Sequence, residues 1–495
     1  GETVPEHSSY RVVLVGAGFG GLGMAAALQQ AGIEDFLVID KADELGGIWR
    51  DNTYPGLACD VPSNLYSFSF RPASWSRRFP PREEILAYLH ALVAERGLGP
   101  RLRFGSGVAA AEFDERRAVW KLELDNGDTL EAAAVVSAVG QLGRPAVPDI
   151  AGRADFAGPS WHSGRWDHSL DLTGKRVAVM GTGASAIQFV PEVAKAAAHV
   201  DIYQRSAPYV LPKADRRYRH AEHVIYRRLP VVRKADRLRI FLYGELLTSG
   251  FVMSPKFLAA PMHLWRRQLQ AQINDPQLRE SCIPDYVMGC KRVLFSNDWY
   301  PTLARPNVEL VTEPIERIVP DGVAAADGTT RRADVIIYGT GFKSLEFLAP
   351  MSVTGLGGRR LHETWRDGAE AYLGITVSGF PNFFLLYGPN TNLGGNSIIY
   401  MLEGQIGYVL GAIQALEDDG LDWLDVRPEV QREFIAWVDA ASRTSVWESG
   451  CHSWYTTPDG RNTNNWPDHT FLYRHRVRRF DPASYRVMPK RPATA

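Results

Sequence analysis

Arg11-Val12-Val13-Leu14-Val15-Gly16-Ala17-Gly18-Phe19-Gly20-Gly21 decides the fold of this 495-residue chain. Arg11 to Val15 is a short, almost wholly apolar run, as expected of a parallel strand covered on both faces. In the glycines that follow, Gly16 makes a tight turn and Gly18 lets the backbone approach a pyrophosphate. Gly21 lets a helix, expected over Leu22 to Ala31, pack closely on the strand. The start of that helix offers unpaired N–H groups to an anion. The next apolar strand, Phe36 to Ile39, ends at Asp40. That is 19 positions past Gly21, where a carboxylate can bind ribose hydroxyls.

The same arrangement recurs once. Arg176 to Val179 reads as a strand, Gly181-Thr182-Gly183-Ala184-Ser185-Ala186 as the loop and Ser185 to Ala198 as the helix. Ala186 in place of a third glycine is a tolerated variant. The next strand, Val200 to Tyr203, leads to Arg205, 19 positions past Ala186. An acid at that offset binds a ribose diol, whereas an arginine accommodates a 2′-phosphate. An arginine in a surface turn is otherwise only solvated, but the repeated offset favours the phosphate. The two halves therefore specify different cofactors.

Composition narrows the class. The length suggests two or three domains. Lys and Arg number 55 against 56 acidic residues, a net charge of -1 that leaves no footprint for nucleic acid. No apolar run approaches the roughly 18 residues of a membrane span, and no secretory segment precedes Arg11. The start at Gly1, without Met, is expected of a trimmed or processed chain. Cys59, Cys282, Cys290 and Cys451 form no C-x-x-C pair and no zinc spacing. They are expected to be free buried thiols in a reducing cytoplasm, and they argue against a flavin disulfide reductase.

Between the two loops lies Phe156-Ala157-Gly158-Pro159-Ser160-Trp161-His162-Ser163-Gly164-Arg165-Trp166-Asp167. On its own it reads as a Gly/Pro-rich connector with aromatic anchors. The spacing of Phe156, Gly158, His162, Trp166 and Asp167, placed between two nucleotide loops, resembles the fingerprint of the Baeyer–Villiger branch of the class B flavin-dependent monooxygenases. The resemblance runs from Arg11 to about Tyr485. It implies an α/β fold with two Rossmann-like dinucleotide-binding domains, for FAD and NADPH, the second inserted in the first. The expected limits are 1–145 for the first part of the FAD domain and 146–335 for the NADPH domain. The latter holds a helical insertion at about 213–285, and 336–495 returns to the FAD domain and tail.

The resemblance also implies the site. For FAD it points to Gly16, Gly18, Phe19, Gly21, Asp40, Lys41, Gly47, Trp49, Asp60, Tyr66 and Val108. Tyr66 reads equally well as a core aromatic. For NADPH it points to Thr182, Gly183, Ser185, Ala186, Arg205, Ser206, Lys291 and Trp454. Lys291 would contact the phosphate, and Trp454 is either a nicotinamide-nucleotide partner or a core tryptophan. Arg292, held by Asp60, would be catalytic, its guanidinium stabilising an anionic flavin peroxide that adds to a ketone carbonyl. No metal is expected. The product would be an ester or lactone, with O2 and NADPH as co-substrates. Which ketone, and what oligomeric state, are not legible.

Elsewhere, Leu102 to Phe113, Trp120 to Leu124 and Thr129 to Val139 read as a small antiparallel segment turning at Asp125-Asn126-Gly127-Asp128. Lys213 to about Gln277 turns helical and basic. It reads either as a membrane-surface helix or, favoured by the neutral balance, as an insertion with a solvated face. Asp334 to Ile337 is a strand, followed by Tyr338 to Phe342, which resembles the passage back into the FAD domain. Phe383 to Tyr387 is a buried strand. After it come a loop to Ser397 and a helix from Ile398 to about Leu416, whose N-terminus suits the electron-rich edge of a reduced flavin. The family pattern often has His where this chain has Gly395. Three rival functions share parts of this pattern: an N- or S-oxygenating flavin monooxygenase, an NADPH oxidase, and a catalytically silent nucleotide-binding protein.

Overall fold

The computed structural model describes residues 8–140, 145–342, 347–348, 351–451 and 456–492. Two parallel-stranded sheets organise it. In the first, Ser9–Val15 lies between Thr129–Ser137 and Phe36–Ile39, parallel to both. Its residues from Val12 to Val15 are buried, as their apolar run requires. The helix Phe19–Gln30 begins three residues earlier than expected, because Gly18 itself caps it. Gly23 lets this helix pass under the Phe68 ring and Ile406, whose atoms a Cβ there would approach to 2.8 and 2.9 Å.

One reading is corrected here. Leu102 to Phe113 is not a single antiparallel strand. It breaks at Gly105-Ser106-Gly107 into Leu102–Arg103, which pairs parallel with Phe36–Ile39, and Val108–Asp114. Val108–Asp114, Val119–Leu124 and the start of Thr129–Ser137 do form an antiparallel set. Gly105 (φ +63°) supplies the break. Strands from the end of the chain complete the sheet: Phe383–Leu385 beside Thr129–Ser137, and Ser352–Thr354 beside Val108–Asp114.

The second sheet has the order Val308–Val311, His199–Tyr203, Arg176–Met180, Val335–Tyr338, Ser160–His162, all parallel. The fold is thus α/β, with two Rossmann-like units and the second inserted in the first. The helical insertion contains His220–Arg228, Pro230–Val252, Ala259–Gln272 and Pro276–Ser281. Among the described residues no helix is long and apolar enough to cross a membrane.

The two chain crossings between the units lie side by side. Pro145 forms an isolated antiparallel β-bridge with Phe342, where the chain returns to the first unit. The Ala146 N–H donates to the Gly341 carbonyl at 2.9 Å, and Thr340 Oγ1 donates to the Ala146 carbonyl at 2.6 Å.

The cysteine reading is also corrected. Cys290 and Cys451, 161 residues apart, form a disulfide, and only Cys59 and Cys282 are free and buried.

Candidate active site

The first glycine loop is built for an anion. Gly16 has φ +110°, and a Cβ there would strike the Ala138 carbonyl at the end of the neighbouring strand. A Cβ on Gly21 would strike the Gly16 carbonyl. No side chain caps the helix at Gly18, so its first N–H groups remain available to a pyrophosphate. Asp40 sits at the strand end as expected and has a second task. One carboxylate oxygen accepts from the Ala17 N–H and the other from the Ala42 N–H, each at 2.9 Å, so it also braces the loop. Lys41 is exposed beside Gly107, and the half-buried Val108 opens the next strand. Gly47 (φ +57°) packs its backbone against Gly18. Trp49 donates its indole N–H to the Tyr66 hydroxyl at 3.1 Å, and both rings are buried. Tyr66 belongs to the core cluster and also lines the cavity.

That cavity, of about 560 Å³, lies between the units and is of cofactor-and-substrate size. Trp49, Tyr54, Asp60 and Tyr66 line it from one side. Gly181 to Ser185, Ser206, Lys291 and Arg292 line it from the other. Gly181 (φ +105°) abuts the Gly339 carbonyl, and the Ala186 methyl lies against Gly339, 3.2 Å from where a Cβ would stand. Gly183 begins the Ala184–Ala196 helix without a side-chain cap, again leaving N–H groups for a phosphate.

At one end, Lys291 Nζ donates to Ser206 Oγ at 2.7 Å and lies 4.9 Å from the centre of the Tyr286 ring. Thr182 Oγ1 donates to the Ser206 carbonyl at 3.4 Å. Burial lowers the Lys291 pKa; the Asp285 charge opposes this, and the Arg205 charge adds to it. Arg205 is exposed and forms no ion pair among the described residues. Two cations, a hydroxyl and a helix N-terminus thus converge where a dianion would neutralise their repulsion.

At the other end, Arg292 Nη2 and Asp60 Oδ2 are 2.5 Å apart, with both side chains about one-third exposed to the cavity (34% each). Beside them is Tyr387, held at φ +55°. Its N–H donates to Gln405 Oε1 at 2.8 Å and its hydroxyl to Asn392 Oδ1 at 2.5 Å. Burial raises the Tyr387 pKa and pushes that of Tyr54 up to about 12, so both phenols stay protonated at neutral pH.

Several of these residues were not picked out from the sequence. Tyr54 had no assigned role. In the structure its hydroxyl donates to Gln188 of the second unit at 3.1 Å, while Gln188 Nε2 donates to the Ala58 carbonyl at 2.9 Å. Gln188 carries no sequence signal of its own. Tyr387 ends an expected strand, and Gly341 and Asn392 fall inside the segments that follow expected strands, but nothing local marked them as lining residues.

The fingerprint lies outside the cavity lining and clasps the junction. Ser160–His162 is the edge strand beside Val335–Tyr338. His162 Nδ1 accepts from the Gly164 N–H at 2.9 Å, so Nε2 carries the proton and donates to the Gly341 carbonyl at 2.7 Å. Burial lowers the His162 pKa, in keeping with this neutral form. A Cβ on Gly158 would collide with the Asp334 carbonyl. Phe156 packs on the second sheet's outer cluster, and Trp166 on Trp161 and Phe189 at 5.5 and 5.2 Å between ring centres. Asp167 only caps Ser169, accepting from its N–H at 2.9 Å and its hydroxyl at 2.6 Å.

Trp454 lies outside the described residues. The helix Ile398–Asp418 is capped by Ser397, whose hydroxyl accepts from the Ile399 N–H at 3.3 Å. Gly395 departs from the family pattern because the insertion passes directly over it. A Cβ there would lie 3.2 Å from the Leu247 Cβ and 3.3 Å from the Gly244 carbonyl.

Comparison with known proteins agrees with this geometry. Residues 13–240 match the pyridine nucleotide-disulphide oxidoreductase family. That span contains one cysteine, Cys59, so the match reflects the nucleotide-binding fold rather than a dithiol centre. A Baeyer-Villiger monooxygenase of Streptomyces coelicolor is 44% identical over 490 residues, 98% of this chain and 94% of the relative. The crystal structure of an oxidised steroid monooxygenase bound to NADP superposes with a TM-score of 0.87 at 29% identity. It covers 97% of this chain and 100% of that one. A complex of OTEMO with FAD and NADP gives 0.86 at 27% identity, covering 97% and 99%.

Proposed function

The chain belongs to the Baeyer–Villiger monooxygenases, and on that premise we propose that it uses FAD, NADPH and O2 to convert a ketone into an ester or lactone. Sheet membership supports a division in which 1–145 and the chain after Tyr338 hold FAD, while the intervening unit holds NADPH. The proposed boundary is set at 338 rather than 335, since Val335–Tyr338 pairs with Arg176–Met180. Cytoplasmic residence was inferred from free thiols and now rests on Cys59 and Cys282 alone.

When bound and reduced by NADPH, FAD supplies the activation of O2. The chain's own residues do the rest. Lys291, Ser206 and Arg205 grip the 2′-phosphate and so select the coenzyme. The uncapped helix starts at Gly18 and Gly183 hold the pyrophosphates. Asp60 fixes the direction of the Arg292 guanidinium, so a positive charge stands ready where negative charge develops and need not reorganise during the reaction. Tyr387 and Tyr54 remain protonated and can donate but not take a proton. Trp49 and Tyr66 wall one side of the cavity and limit the entry of water.

The observation that carries this reading is the Arg292–Asp60 pair in a cavity bordered by the second glycine loop and the first unit's aromatic wall. A fixed cation favours an anionic, nucleophilic oxidant suited to carbonyl carbon, whereas sulfides and amines need an electrophilic one. The test is a mixed panel of ketones, sulfides and amines under isotopically labelled O2, with NADPH consumption followed and products weighed by mass. An ester or lactone carrying one labelled oxygen is expected. Sulfoxides or N-oxides with no ester would assign heteroatom chemistry instead, and hydrogen peroxide alone would assign an oxidase.

A further inference from the structure

The helical insertion carries most of the exposed large hydrophobic residues among the described ones. Of the twenty large hydrophobic residues that are exposed among the described ones, thirteen lie between Ile225 and Val287, an eighth of the chain. The longest helix there, Pro230–Val252, shows how they are arranged. Its inward residues, among them Ile240, Gly244, Leu247 and Phe251, are buried, and Gly244 lies against Gly395 above the cavity. Its outward residues follow steps of three and four: Val231 (67% exposed), Ala235, Leu238 (56%), Leu242 (56%) and Leu246 (51%). Those steps place them on one face. Scattered single leucines on a surface are ordinary, but a continuous apolar helix face is not.

The charge around this face is one-sided. From Arg227 to Arg267 the sequence has nine Lys and Arg against two acids, in a chain whose net charge is -1. Neither acid is free to offset them. Asp236 is held by Arg239 and by the Asn64 amide, each at 2.8 Å, and Glu245 is buried against Asn396. Arg227, Arg228 and Lys234, at the N-terminal end of the stripe, are exposed and form no ion pair among the described residues. The solvated polar face that the overall neutral balance favoured is therefore not what the insertion presents.

We propose that this face seats the protein on the surface of an anionic phospholipid bilayer. The leucines enter the boundary between headgroups and acyl chains, and the basic flank meets the lipid phosphates. A second copy of this chain would satisfy the leucines but would bring two basic flanks together, which disfavours it. The proposal does not depend on which substrate the cavity oxidises. It adds that an apolar substrate dissolved in the bilayer would lie next to the helix that packs on Asn396, a residue of the cavity wall.

The experiment uses full-length holoenzyme and sedimentation with vesicles. Protein should pellet with vesicles of phosphatidylcholine and phosphatidylglycerol in equal parts, and much less with phosphatidylcholine alone. Raising salt from about 0.05 to about 0.5 M should release it. The triple variant Leu238→Ser, Leu242→Ser, Leu246→Ser should lower partitioning by about tenfold or more. It should leave the thermal midpoint and NADPH consumption unchanged, since all three side chains are exposed. Arg227→Gln, Arg228→Gln, Lys234→Gln should remove the preference for anionic vesicles. The proposal is overturned if the protein stays in solution with both vesicle types, or if the leucine variant pellets as well as the parent. It is equally overturned by light scattering that finds a dimer abolished by the leucine substitutions while vesicles capture nothing.

Discussion

Replacing Lys291 with Met would isolate the charge at the coenzyme end of the cavity. Methionine keeps most of the aliphatic stem and removes only the ammonium, which donates to Ser206 Oγ at 2.7 Å and lies 4.9 Å from the centre of the Tyr286 ring. A charge-assisted hydrogen bond to the 2′-phosphate contributes about 1.5–3 kcal/mol, so the NADPH dissociation constant should rise about 10- to 150-fold. NADH lacks that phosphate, and its binding should change less than about twofold. Arg205→Ala should shift selectivity in the same direction. Stability should move the other way, if at all. Burial, opposed by Asp285 and reinforced by Arg205, lowers the Lys291 pKa in the folded chain. At neutral pH the lysine is charged in both states, so the folded state carries an unfavourable charge that is relieved only as pH climbs through the lowered pKa toward the ordinary lysine value. The coenzyme-free variant should therefore melt no lower than the parent at pH 7, and its alkaline stability profile should be flatter. Titrating both coenzymes by the quenching of protein fluorescence, beside thermal melts across pH, reads both effects. Equal losses with NADPH and NADH, together with a lower melting temperature, would make Lys291 a structural strut and refute the phosphate assignment.

Other substitutions probe the rest of the site. Arg292→Ala should leave flavin reduction by NADPH in place, perceptible as bleaching in stopped flow, while the oxygenated product falls by about 100-fold or more; a normal product yield would remove Arg292 from the chemistry. His162→Ala should flatten the acid side of the stability profile. Burial lowers the His162 pKa, so as pH falls below about 6.5 the unfolded chain takes up a proton that the folded chain resists, and stability drops. An unchanged slope of melting temperature against pH in the variant would contradict this. Gly395→His should destabilise by about 1–3 kcal/mol, because the imidazole must displace Leu247 and the helix that carries it. A variant melting like the parent would show that the contact yields easily.

Local features were legible because local physics fixes them. Gly16, Gly18 and Gly21 could be read from turn and packing demands, and the strand Phe36–Ile39 coincides with its apolar run. The offset of Arg205 pointed to the place where Lys291 and Ser206 converge. Features made by distant parts of the chain could not be read. Leu102 to Phe113 looked like one strand because apolar content cannot reveal which neighbour each half pairs with. Cys290 and Cys451 lack any spacing signal, and only the return of the tail across the insertion brings them together. Gly395 stood out only as a departure from the family pattern, and its packing against Gly244 is a contact that no local pattern reveals. The basic helical run was legible, but the neutral charge of the whole chain favoured a solvated face and gave no sign of the leucines exposed along it.

The bridge between Pro145 and Phe342 has a consequence for how such a protein could be assembled or taken apart. The two ends of the inserted unit leave and re-enter the host side by side, tied by the Ala146 N–H and His162 Nε2 on a single Gly341 carbonyl. For the host, an insertion of nearly two hundred residues is therefore geometrically equivalent to a short hairpin. A chain in which a turn of a few residues replaced 146–341 would have to span only the width of one β-bridge. Conversely, a coenzyme-binding unit from a relative could be grafted between the same two points without stretching the first sheet, provided that it brought a histidine to close the clasp.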